Sequence, residues 1–109
     1  MAYSITDCLE EPDYRYSLVV RTDAAASASV AVIQCNPSRA SGTRSDPTVG
    51  KVATWAEENG FSSVTFLNLF ARRSPLVHEI SHLSYRELVG SKNNDVLARQ
   101  AAVDLTSSR

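Results

Sequence analysis

Residues 28–69 read ASVAVIQCNPSRASGTRSDPTVGKVATWAEENGFSSVTFLNL, and this stretch decides the fold. Its opening run, ASVAVIQC at 28–35, carries Val30, Val32 and Ile33, the composition of a strand buried on both faces. Asn36-Pro37-Ser38 ends the run abruptly. The Ser-, Arg-, Gly- and Thr-rich segment from Ser38 to Asp46 reads as loop. Asp46-Pro47 then starts a helix, with Asp as N-cap and Pro at the first helical position. Val49, Val52, Ala53 and Ala56 recur at helical spacing and make one apolar face. Asn59-Gly60 is a stop signal. Residues 63–69, SVTFLNL, form the next strand. Strand 28–35, helix 47–59 and strand 63–69 therefore spell one βαβ unit with a right-handed crossover and parallel strands.

Outward from that unit the signals thin. Towards the N-terminus, YRYSLVVRT at 14–22 is a β-branched and aromatic strand, joined to residue 28 by DAAAS. Towards the C-terminus, Ser74-Pro75 starts a short helix, and Ser84-Tyr-Arg-Glu87 is a capping box between Leu83 and Leu88. Gly90 breaks the chain, and Asn93-Asn94-Asp95 caps a last helix with Leu97, Ala101 and Leu105 on one face. We expect one α/β domain over 1–109: three layers, a mostly parallel sheet and a helical C-terminus.

Composition narrows the function. The chain has 109 residues and a net charge of −1, which excludes a strongly basic protein held on DNA mainly by phosphate neutralisation. Nine of the eleven basic residues are arginine, whose planar fork suits carboxylate and phosphate. Charge is uneven: residues 1–13 hold four acids and no base, whereas Arg39, Arg44, Lys51, Arg72 and Arg73 lie beside the strand-end and helix-start motifs. No apolar run approaches the roughly 18–20 residues of a membrane span. The acidic N-terminus lacks the basic and apolar regions of a signal peptide. Cys8 and Cys35 make no disulfide framework. We expect a reduced, cytoplasmic protein with no membrane partner and no cofactor.

Open parallel sheets bind ligands beyond the carboxyl ends of their strands. Two such ends carry polar residues here: Asn36-Pro37-Ser38-Arg39, and Asn68-Leu69-Phe70 followed by Arg72-Arg73. The helix N-terminus at Asp46-Pro47-Thr48 opens on the same edge and favours an anion. Asn36, Ser38, Arg39, Asp46, Thr48, Asn68, Phe70 and Arg73 are therefore the expected ligand-binding set. Asn36 orients a water or a base, Ser38 and Thr48 hydrogen-bond the ligand, Phe70 stacks, and Arg73 binds an anion. Asp46 is the one carboxylate at hand for catalysis. Each has a structural alternative. Asparagines satisfy backbone groups at strand ends, Asp46 caps a helix, Phe70 fills core, and Tyr14 and Tyr16 pack on one strand face.

Taken together, Tyr14-Arg15-Tyr16-Ser17-Leu18, VAVIQCNPS, Ser45-Asp46-Pro47-Thr48, the Trp55 helix, Asn59-Gly60-Phe61, Asn68-Leu69-Phe70-Ala71, Arg73, Val89-Gly90 and Asn94-Asp95 resemble the bacterial and phage "domain of unknown function 1643" family. The resemblance covers roughly residues 14–100 and implies a three-layer α/β domain. The Asn-Pro-Ser strand end is also similar, more distantly, to the uracil-DNA-glycosylase superfamily, which implies a water-activating, base-holding site. Members of the resembling family continue into a further strand with a Gly-His-Pro-type motif. This sequence stops at Arg109, as a short variant such as a mobile gene-cassette product would, and we expect a homodimer or larger oligomer that covers the open sheet edge.

His78-Glu79-Ile80-Ser81-His82 fits H-E-x-x-H, which on a continuous helix binds zinc with Glu79 as general base. The capping box at Ser84–Glu87 starts a new helix just beyond, and the third ligand is left to Glu87, Asp95 or Asp104. Three readings follow. The first is a pocket for a nucleotide or nucleic-acid-related ligand. The second is a non-catalytic homo-oligomeric assembly module, and the third a zinc hydrolase through His78 and His82.

Overall fold

The computed structural model describes residues 3–35, 37, 46–73 and 85–107. Four strands, β1 (Tyr3–Glu11), β2 (Tyr14–Thr22), β3 (Ala28–Gln34) and β4 (Phe61–Asn68), form one sheet in the order β1-β2-β4-β3. Among the described residues three helices accompany them: α1 (Pro47–Glu58), α2 (Tyr85–Val89) and α3 (Asn93–Ser107). The βαβ unit of β3, α1 and β4 is present, and β3 runs parallel to β4. The rest of the sheet departs from expectation. β1 pairs with β2 and β2 with β4 antiparallel, so the sheet is mixed and mostly antiparallel.

That departure has a specific source, the N-terminal acidic stretch. Tyr3–Glu11 alternates only weakly and is mostly exposed, so its composition reads as surface rather than strand. The two-residue turn Pro12-Asp13 folds it back on β2, where tight connection forces antiparallel pairing.

The sheet carries helices on both faces. Val49, Ala53 and Ala56 of α1 pack on Leu18 and Val20 of β2 and on Val64 and Phe66 of β4, all fully buried. Ile5, Cys8, Val30 and Val32 close the rim of this core. On the opposite face, Val96, Arg99 and Gln100 of α3 border a cleft with Ser17, Val19, Thr65 and Leu67. Helices thus lie on both faces of the sheet, α1 through the βαβ unit and α3 from the C-terminal segment. Helix α1 begins and ends as its sequence dictates. Asp46 accepts a hydrogen bond from the Val49 N–H at 3.0 Å, Pro47 follows, and Gly60 turns the chain out at φ +84°.

Candidate functional site

The carboxyl ends of the parallel pair lie side by side. The Leu69 N–H donates to the Gln34 carbonyl at 2.8 Å, and the Phe70 N–H donates to the Cys35 carbonyl at 2.9 Å. The expected rim therefore exists where β3 and β4 end. Asn36, Ser38 and Arg39 lie outside the described residues, as do His78, Glu79 and His82. Among the described residues, no group of three or more His, Cys, Asp or Glu is arranged to hold a metal ion.

A β-bulge brings an unexpected side chain to this rim. Leu9 faces Ser17 and Glu10 faces Arg15, so Tyr16 is one residue more on β2 than its partner strand has. A bulge of this kind reverses the alternation beyond it. Without it, Arg15 would share a face with Ser17 and Val19. With it, Arg15 turns to the α1 side, where its Nη2 donates to Gln34 Oε1 at 2.9 Å. Arg15 is fully buried. Burial and the neighbouring Arg73 guanidinium lower its pKa, while Cys8, Asp46 and Glu10 oppose that shift.

Asn68 holds the bulge. Its Nδ2 donates to the Arg15 carbonyl at 2.7 Å and reaches the Tyr16 carbonyl at 3.5 Å. A bulge frees carbonyls from the ladder, and buried carbonyls need donors. Asn93, at the start of α3, does the same one step on, donating to the carbonyls of Asn68 at 2.9 Å and Leu69 at 3.1 Å. The Arg15 N–H in turn donates to the Ala71 carbonyl at 3.0 Å. Of the two roles open to Asn68 in sequence, the backbone-satisfying one is visible here. Its Oδ1 is buried without a hydrogen-bond partner among the described residues.

Above the buried guanidinium lies a second charged layer. Arg73 Nη2 stands 3.3 Å from Glu10 Oε1, with both side chains partly exposed. The Arg73 N–H donates to the Asp13 carbonyl at 2.8 Å, which fixes where its side chain starts. Cys8 Sγ donates to the other carboxylate oxygen, Glu10 Oε2, at 2.8 Å. Burial, that hydrogen bond and the Glu10 charge push the Cys8 thiol up from 9.0 to about 12, so it stays a proton donor. Asp46 caps α1. Thr48 is exposed on the first turn of α1, and Phe70 is half-buried.

The same bulge sends Tyr14 and Tyr16 elsewhere. Their rings stack at 5.9 Å and 4°, with Arg72 5.6 Å from the Tyr14 centroid. The Tyr16 hydroxyl donates to Glu11 Oε1 at 2.7 Å, and Lys92 lies 3.3 Å from Glu11 Oε2. These two contacts hold the Glu11 carboxyl below its ordinary value.

Arg15, Gln34, Glu10 and Cys8 were not among the residues expected at the site. One signal for Arg15 was present: a single cation in the middle of an otherwise strand-forming YRYSLVV run. Glu10 and Cys8 carried none, because the strand that delivers them was not legible.

The family model described as "Protein of unknown function (DUF1643)" matches residues 15–107, and the chain belongs to that family. No curated protein and no solved structure matches it. The more distant likeness to uracil-DNA glycosylases has no support from these comparisons.

Proposed function

We propose that this member of the DUF1643 family binds an anionic, nucleotide-class ligand at the carboxyl ends of β3 and β4. One observation supports the reading: past the bulge at Tyr16, Arg15 pairs with Glu10 and is fully buried, where it feels the charges of Arg73, Asp46 and Glu10. Desolvating a guanidinium is costly, and a strand has no structural need of one. A buried cation under a partly exposed one projects a positive field in a low-dielectric setting, which draws an anion to Arg73. The positive end of the α1 dipole at Asp46-Pro47-Thr48 adds to that field, although Asp46 already accepts the Val49 N–H there. Gln34 offers an amide of the kind that reads polar edges of a base.

The test is a thermal-shift screen of the nucleoside 5′-monophosphates, the matching nucleosides and a short oligonucleotide. A phosphate-bearing ligand is expected to stabilise the protein by about RT ln(1 + [L]/Kd), and its nucleoside far less. Arg73→Met is expected to abolish the shift. Equal stabilisation by nucleoside and nucleotide, or a shift unchanged in Arg73→Met, contradicts the reading.

A second reading, a homo-oligomeric assembly module, has its own observation. β3 is an outer strand of the sheet, uncharged throughout, with Ile33 60% exposed. Uncharged outer strands of this kind are ready to pair with other strands. Sedimentation across a hundredfold concentration range separates a self-associating chain from a monomer.

A further inference from the structure

We propose that Glu10 is the charge gate of this site: its carboxylate occupies Arg73 until the anionic group of a ligand takes its place. The inference rests on the anion-binding reading above and names how that site is controlled.

Among the described residues, Arg15 interacts with three charged groups. Arg15 and Arg73 are the cations, and Glu10 and Asp46 are the anions. The two carboxylates offset part of the attraction that the two guanidinium groups offer an incoming anion. The two carboxylates are not equally free to leave. Asp46 caps α1 through its 3.0 Å bond from the Val49 N–H, and moving it costs the helix its N-cap. Arg15 is buried and tied to Gln34. Glu10 stands on β1 with its side chain 37% exposed, and Arg73 is 23% exposed. Both are within reach of solvent, so their ion pair is exchangeable for a ligand anion.

The geometry also says how Glu10 is kept ready. One oxygen meets Arg73 at 3.3 Å, and the other accepts the Cys8 thiol at 2.8 Å. Arg73 thus has an internal anion that mimics the ligand, and Cys8 holds it in register without competing for the guanidinium. When the ligand takes Arg73, Glu10 swings outward and its charge leaves the rim. Glu10 sets a threshold: an anion must interact with Arg73 better than a tethered carboxylate does. A phosphate, with three acceptor oxygens, meets that condition better than a single carboxylate.

The experiment is calorimetric titration of pyrophosphate and of adenosine 5′-monophosphate into the wild type, Glu10→Gln and Arg73→Met. Glu10→Gln keeps the size of the side chain and an acceptor for Cys8. Glu10→Ala serves as a second gate variant should the amide disturb β1. Glu10→Gln is expected to bind both probes about three- to tenfold more tightly at low salt, with the gain shrinking as salt rises. Unchanged or weaker binding in both gate variants, alongside loss in Arg73→Met, overturns the gate and leaves the anion site standing. Wild-type affinity in Arg73→Met as well, or no binding by any of the proteins, overturns both.

Discussion

The Asn68 side-chain amide donates to the Arg15 main-chain carbonyl at 2.7 Å, across 53 residues of sequence. This one bond links the end of the βαβ unit to the bulge in β2. It fixes Arg15 under the rim that β3 and β4 form. Removing it leaves buried carbonyls at Arg15 and Tyr16 without their donor. Asn68→Ala is expected to destabilise the domain by about 1–3 kcal/mol. At about 4–8 °C per kcal/mol for a small domain, a melting curve reads that plainly. A loss below about 0.5 kcal/mol means the bulge is held by something else.

Gly90 is required for two reasons at once. Its φ is +87°, and a Cβ there would stand 2.9 Å from both Tyr14 Cδ1 and Tyr16 Cε1. Gly60 has the same handedness, φ +84°, but open space around it. Gly60→Ala is expected to cost only the backbone strain, about 1–2 kcal/mol. Gly90→Ala adds displacement of the stacked tyrosines, and the larger fall in Tm is expected there. Equal effects mean that the tyrosine pair yields freely.

Much of the domain was open to reading because its signals are local. Asp46-Pro47, the Val49–Ala56 face and Asn59-Gly60 each announce α1 within a few residues. The aromatic and β-branched run YRYSLVVRT gives β2 with the same bounds, Tyr14–Thr22, and α3 begins at Asn93, although the Asn93 side chain serves the Asn68 and Leu69 carbonyls rather than capping the helix. What stayed hidden depends on partners. Tyr3–Glu11 becomes a strand because β2 offers it an edge, and nothing in its acidic composition says so. The sheet then turns mostly antiparallel. The bulge is a matter of register between two strands, so no single stretch encodes it. Asn68 and Asp46 stood out in the sequence because they sit at element ends, and Arg73 because it follows one. Arg15, Cys8 and Glu10 reach the rim only through that register, and Gln34 reaches it at the end of β3.

Asp46 has two duties that substitution separates. Asp46→Asn keeps an N-cap oxygen for the Val49 N–H and removes the charge near Arg15. It is expected to leave α1 nearly intact, because Asn caps about as well as Asp. Asp46→Ala is expected to cost about 0.5–2 kcal/mol. Helical circular dichroism and Tm together check this. If both variants lose the same stability, the charge rather than the cap is what α1 needs.

The two cysteines are expected to differ sharply. Cys35 is exposed, whereas Cys8 is half-buried with its thiol pushed up to about 12. Iodoacetamide at pH 8 is expected to modify Cys35 first, with Cys8 modified slowly, and Glu10→Gln is expected to speed Cys8. The folded protein holds the Cys8 proton more tightly than the unfolded chain does. Its contribution to stability is therefore intact below pH 9 and is lost as pH rises from 9 towards 12. Denaturant melts of wild type and Cys8→Ala across that window measure it. Parallel pH profiles contradict the assignment.

Residue-resolved mapping of a bound anion tests the account most directly. Backbone amide shifts of the ¹⁵N-labelled protein are followed while adenosine 5′-monophosphate is titrated in. The account predicts that the largest changes cluster at Glu10, Arg15, Gln34, Val49, Asn68 and Arg73, where β3 and β4 end and α1 begins. Saturable changes centred instead on Tyr3 and Trp55, or on Gly90 and Asn94, with that rim silent, would contradict it.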